Sequence, residues 1–147
     1  MSARKTSLIL WALLSLFLFR VLGQVVVALW APSFLPPMEA WYSGLMPYRF
    51  LLPSQIVILL LFSKIAFDLC RGHGYWFGPK KQIGMGLLIF GTIYFLAMIA
   101  RFFLQGISIP VIFHWILAGY ILILGLYYRA NSLQIKNNPS QLGGGII

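Results

Sequence analysis

Residues Leu8–Trp30 read LILWALLSLFLFRVLGQVVVALW, an apolar run broken by one cation, Arg20, and one amide, Gln24. Crossing the hydrocarbon of a bilayer as a helix takes about 20 mostly apolar residues, and this stretch reaches that length. A charge in hydrocarbon is costly, so a cation inside such a run faces a protein interior, water, a partner or a ligand. The stretch therefore decides the class of protein and poses its functional question.

Working outward, three further runs have the same character: Leu51–Cys70, Ile83–Leu104 and Ile107–Tyr128. The chain is 147 residues long and 61% hydrophobic, with a mean hydropathy of +0.89, well outside the soluble globular range. The reading is all-α: one integral membrane domain over residues 1–128, a bundle of four transmembrane helices, then a polar, glycine-rich flexible tail over residues 129–147. Pro53 and Pro110 are expected in the first turns of the second and fourth helices, where a missing N–H costs little. Gln105 and Gly106 alone separate the last two runs, which makes them a tight antiparallel hairpin. The N-terminus imitates a signal peptide, with Arg4 and Lys5 before the apolar run and a weak Val21-Leu22-Gly23 site. The run resumes through Val25–Trp30, so an uncleaved signal-anchor helix is expected.

The net charge of +9 could suggest nucleic acid, but no basic stripe lies on a soluble scaffold. Most of the charge lies instead at segment ends. Arg4, Lys5, Arg71, Lys80, Lys81, Arg129 and Lys136 fall on one side of the membrane and Arg49 alone on the other. By the positive-inside rule both termini and the second loop are cytoplasmic. The single cysteine, Cys70, excludes an intrachain disulfide and a CxxC pair, and reads as an apolar filler.

The first loop, Ala31–Phe50, is unusually apolar. Pro36–Gly44 reads as a short interfacial helix, with proline at its start, Glu39 in its first turn and glycine past its end. Trp41, Tyr42, Leu45, Met46 and Tyr48 suit the headgroup level, where aromatic rings collect, either as an anchor or as a lid over a pocket below. The second loop, Arg71–Gln82, reads as an interfacial turn with Lys80 and Lys81 near anionic headgroups and His73 solvated.

Helical rise places the polar groups in depth. Arg20 lies roughly 18 Å from the cytoplasmic edge, Arg101 roughly 27 Å, and His114 roughly 10 Å below the outer start of its helix. Arg20, Gln24, Arg101 and His114 thus converge on the middle-to-outer half, with Glu39 on the loop above. They are the candidate ligand- or partner-binding residues. Only two acids, Glu39 and Asp68, exist to neutralise the cations. Lys64 and Asp68, four apart near the inner end of the second helix, read as a structural ion pair. The stripe His114, Ala118, Ile121, Gly125 and the seam Gly84, Gly91, Met98 read as close-packing helix faces.

The pattern is poor for catalysis. Ser108 and His114 face different directions and Asp68 lies near the other surface, so no triad forms. Two histidines on opposite sides do not make a metal site, so no metal is expected. There is no phosphate-binding glycine loop. The leading expectation is a non-enzymatic multi-pass membrane protein: an accessory subunit of a larger complex, or a binder of a lipid-like anionic or quinone-type ligand. Its expected partners are membrane lipids and other membrane subunits or a second copy, not nucleic acid. The first alternative is a small transporter or membrane enzyme on a lipophilic substrate, with Glu39 or His114 as acid–base group. The second is a haem- or chlorophyll-binding subunit with His114, between Phe113 and Trp115, as axial ligand.

Overall fold

The computed structural model describes residues 2–41, 47–78 and 80–137, with side chains through residue 133. Four long helices form: α1 (Ala3–Trp30), α2 (Tyr48–Arg71), α3 (Lys81–Gln105) and α4 (Ile109–Asn137), with one turn of 3-10 helix at Met38–Trp41. All four are long and apolar enough to cross a membrane, and the chain is a multi-pass integral membrane protein. Helices are the form such sequences take in lipid, because each satisfies its backbone N–H and C=O groups within itself.

The ends follow local chemistry. α1 stops where Ala31 turns left-handed (φ 41°, ψ 52°), its N–H still reaching the Val27 carbonyl at 3.0 Å, and Pro32 prevents continuation. α2 stops at Gly72 (φ 71°), whose N–H bonds the Asp68 carbonyl at 3.1 Å. The helices extend past the apolar runs at several ends. α2 begins at Tyr48, so Pro53 lies inside it rather than in its first turn. There it removes one ladder donor near the membrane surface. α4 continues to Asn137, nine positions past Tyr128, because the polar residues after Tyr128 still favour helix. Residues 138–147 of the expected tail lie outside the described residues.

Packing runs in the order α3–α4–α1–α2. α3 lies most intimately on α4, and α1 packs between α4 and α2, while α2 and α3 do not approach each other. The α3–α4 seam is made by glycine. A Cβ at Gly84 would lie 2.8 Å from the Tyr128 Cβ, and one at Gly125 would lie 2.9 Å from the Leu88 Cγ. One at Gly91 would meet Leu122 at 3.0 Å. Missing side chains let two backbones approach closely enough for dispersion to hold them in lipid.

The apolar core is concentrated at the end carrying the second loop. Leu10, Leu14, Ile65, Ala66, Leu69, Tyr120, Leu124, Tyr127 and Tyr128 are buried together there. Side chains tie helices through each other's carbonyls: Ser7 Oγ donates to Ala66 O at 2.8 Å, and the Tyr120 hydroxyl to Phe62 O at 2.7 Å. The second loop is fastened to the same core, with the Tyr128 hydroxyl donating to Trp76 O at 2.7 Å. Lys64 and Asp68 do pair here, and this is the one ion pair among the described residues. The carboxylate also accepts the Trp76 N–H at 3.2 Å. Gly74, at φ 112°, sits so close above it that a Cβ would lie 2.6 Å from the Asp68 Cγ. Asp68 therefore shapes the second loop as well as neutralising Lys64. Toward the first-loop end the interior turns polar.

A candidate polar site between the helices

Buried positions on α1 recur as Leu10, Leu14, Phe17, Arg20–Val21, Gln24 and Val27. This is the three-and-four spacing of one helix face, so Arg20 and Gln24 share the stripe that packs inward. Their separation of one turn brings them together: Arg20 Nη1 donates to Gln24 Oε1 at 2.7 Å. Arg20 Nη2 donates to the Trp41 carbonyl at 2.9 Å, and Gln24 Nε2 reaches the same oxygen at 3.5 Å. Trp41 closes the 3-10 turn, so its carbonyl is one that the turn leaves without an internal donor.

The loop reaches that deeply because Gly23 makes room. The Trp41 ring lies against α1 where a Cβ on Gly23 would stand 2.7 Å from Cη2, and its Nε1 donates to Pro36 O at 3.0 Å. Trp41 is thus buried and braces the loop against the bundle. This seating brings the neutral Trp41 carbonyl within hydrogen-bonding reach of a guanidinium that has no acidic partner among the described residues. Tyr42, Leu45 and Met46 lie outside the described residues.

From α2, Gln55 joins the group. Its Nε2 donates to Gln24 Oε1 at 3.3 Å, and the side chain is 4% exposed. Below and beside these groups lies a cavity of about 260 Å³, lined by Phe17 and Arg20 of α1, Ser54, Gln55 and Ile58 of α2, and Tyr94 and His114 of α3 and α4. It occupies the gap left where α2 and α3 do not meet. His114 Nδ1 shares a 2.7 Å hydrogen bond with the Tyr94 hydroxyl, the imidazole tautomer deciding which group donates. Ser54 Oγ is committed to Leu51 O at 2.7 Å. An axial ligation by His114 would therefore fall to Nε2.

Three buried polar atoms among the described residues have no hydrogen-bond partner: Arg20 Nε, Gln55 Oε1 and Trp115 Nε1. Trp115 lies apart, packed against Phe95 and Phe102. The other two belong to side chains that line the cavity. Buried polar groups are nearly always satisfied, and each exception calls for a reason.

Of the sequence candidates, the fold brings Arg20, Gln24 and His114 to one region and separates the other two. Arg101 turns to the rim of α3, where Nε donates to Gln105 Oε1 at 2.8 Å. It does not line the cavity. Long side chains near a helix end reach outward at little cost, which explains the difference. Glu39 is exposed in the 3-10 turn and forms no ion pair with Arg20; it lines a separate surface groove of about 480 Å³ with Val27 and Pro32. Gln55, Trp41 and Tyr94 join the site without having been singled out for it. Gln55 had a signal, as the lone amide in the apolar run Leu51–Phe62, whereas nothing local marks the Trp41 carbonyl. Among the described residues no three His, Cys, Asp or Glu side chains gather to hold a metal. Compared with known proteins, the chain matches no family, no curated protein and no solved structure.

Proposed function

We propose that this membrane protein binds a lipid-like ligand without transforming it, holding the polar head of an amphiphile in the cavity between Arg20, Gln55 and His114. One observation carries the reading: two side chains on different helices line one cavity, each with a buried polar atom that the protein leaves unpartnered. The guanidinium is also uncompensated in charge, since its partners Gln24 and the Trp41 carbonyl are neutral. An anionic or strongly accepting head group supplies what is missing, and a guanidinium fork is suited to it. In the orientation that the Lys and Arg distribution favours, the site opens to the outer leaflet.

The test is purification from the source membrane in mild detergent, with mass spectrometry of the retained lipids. The wild-type chain and Arg101→Leu should carry the same ligand, and Arg20→Met should lose it. Equal lipid profiles in all three proteins would exclude the reading. The same purification shows whether the chain travels with other subunits or a second copy, the accessory role that a ligand holder suits. The His114–Tyr94 pair on the cavity wall supports a second reading, an enzyme on the same amphiphile with His114 moving a proton. That reading requires a substrate and its product to be recovered together.

A further inference from the structure

The donor and acceptor directions around the cavity restrict the ligand beyond its charge. Arginine has only donors, so the atom of Gln24 facing Arg20 Nη1 must be its carbonyl oxygen. That oxygen also meets Gln55, so Gln55 must present its NH₂ to Gln24. The remaining Gln55 atom, Oε1, is thereby fixed as an acceptor. Neither amide is free to flip, because each orientation follows from the arginine. The site consequently lacks two complementary things: an acceptor for Arg20 Nε–H and a donor for Gln55 Oε1.

We infer that the ligand is a singly charged phosphate lipid carrying an O–H, its anionic oxygen set against the Arg20 guanidinium and its O–H donating to Gln55 Oε1. This rests on the ligand-binding reading above. A fatty carboxylate neutralises Arg20 but brings no donor, and a quinone brings neither charge nor donor. A phosphate monoanion supplies one negative charge against one cation. Its donor is either the P–O–H of a phosphomonoester or a hydroxyl on the head of a phosphodiester. The cavity volume of about 260 Å³ accommodates a head group and not the acyl chains. Those chains lie in the gap between α2 and α3, which no other described helix closes. The ligand therefore arrives sideways from the bilayer. Both unpartnered atoms are enclosed. Neighbouring side chains of the cavity wall must give way to admit the head group, the Arg20–Gln24–Gln55 hydrogen bonds staying as they are.

The experiment uses the full chain in phosphatidylcholine nanodiscs, with retained lipid counted by native mass spectrometry. Four probes with identical or matched acyl chains are added in turn: phosphatidic acid, phosphatidylglycerol, phosphatidylmethanol and oleic acid. Phosphatidylmethanol has the phosphate charge and no O–H. Retention of phosphatidic acid or phosphatidylglycerol about tenfold above phosphatidylmethanol is expected, one satisfied hydrogen bond to a charged or buried group being worth about that factor. Which of the two is retained identifies the source of the donor. Gln55→Leu should bring the preferred lipid down to the level of phosphatidylmethanol and leave phosphatidylmethanol itself unchanged. Equal retention of phosphatidylmethanol by the wild-type chain overturns the inference while leaving anion binding intact, and this comparison needs no variant to fold. Retention of all four probes at the background level, unchanged in Arg20→Met, overturns the binding reading itself.

Discussion

Replacing Arg20 by methionine separates a structural role from a binding one. The variant keeps an unbranched apolar stem and deletes the guanidinium and its charge. It removes two charge-assisted hydrogen bonds, to Gln24 Oε1 and to the Trp41 carbonyl. Bonds to charged groups contribute about 1.5–3 kcal/mol each, so about 3–6 kcal/mol is lost. Neither acceptor is left bare, since Gln55 Nε2 still reaches Gln24 at 3.3 Å and Gln24 Nε2 can close on Trp41 O from 3.5 Å. Against the loss stands the relief of removing an arginine from a membrane span, about 2.5–3.5 kcal/mol near the middle of a helix. The two partly cancel. Net destabilisation should be no more than about 3.5 kcal/mol, measured as reversible unfolding in lipid-free detergent so that bound ligand adds nothing. Retention of an anionic lipid, measured in parallel, should fall at least about tenfold, because the one uncompensated cation in the cavity is gone. A variant that loses well over 5 kcal/mol while keeping its lipid would refute the reasoning, making Arg20 a brace for the first loop and nothing more.

Gly84→Ala should destabilise the bundle by about 1–3 kcal/mol, since its Cβ would meet Tyr128 Cβ at 2.8 Å and the backbone N of Arg129 at 3.1 Å, neither of which yields easily. Gly86→Ala on the same helix meets nothing within 4 Å and should be neutral or stabilising by up to about 1 kcal/mol; thermal melts of the two compare them directly. Asp68→Leu removes the acceptor of the Trp76 N–H and of Lys64, so hydrogen exchange at residues 72–77 should accelerate while α3–α4 amides hold their protection. Tyr94→Phe leaves His114 Nδ1 without its partner and should cost about 1–3 kcal/mol in unfolding measurements, whereas a catalytic His114 would show as lost turnover. Cys70 is exposed at the second-loop end of α2, so an impermeant maleimide should label it from the cytoplasmic side alone; labelling from outside would reverse the orientation.

The four spans were legible because their signal is local: an apolar run of sufficient length has one solution in lipid, and short turns make neighbours antiparallel. Two polar pairings were legible for the same reason. Arg20 with Gln24 and Lys64 with Asp68 are four apart on a helix, and the helix itself brings them together. The glycine seam of α3 and α4 was visible as spacing, since small residues on one face admit a close neighbour whatever its identity. Helical rise alone grouped Arg101 and Glu39 with Arg20. Depth says how far along a helix a residue lies and leaves open which way it faces, and both turned away from the cavity.

The tertiary structure decided what lies against Arg20. The Trp41 carbonyl comes from a loop residue 21 positions away, and it arrives because Gly23 admits the indole ring. Gln55 comes from another helix, 31 positions from Gln24, and meets it because α1 packs on α2. The cavity itself is a property of no single segment: it exists because α4 packs against α3 and α1 while α2 and α3 stay apart. Local spacing determines which side chains share a helix face. Which backbone oxygen completes a buried guanidinium, and which acceptor is left waiting beside it, depends on how separate helices and a folded loop divide one interior.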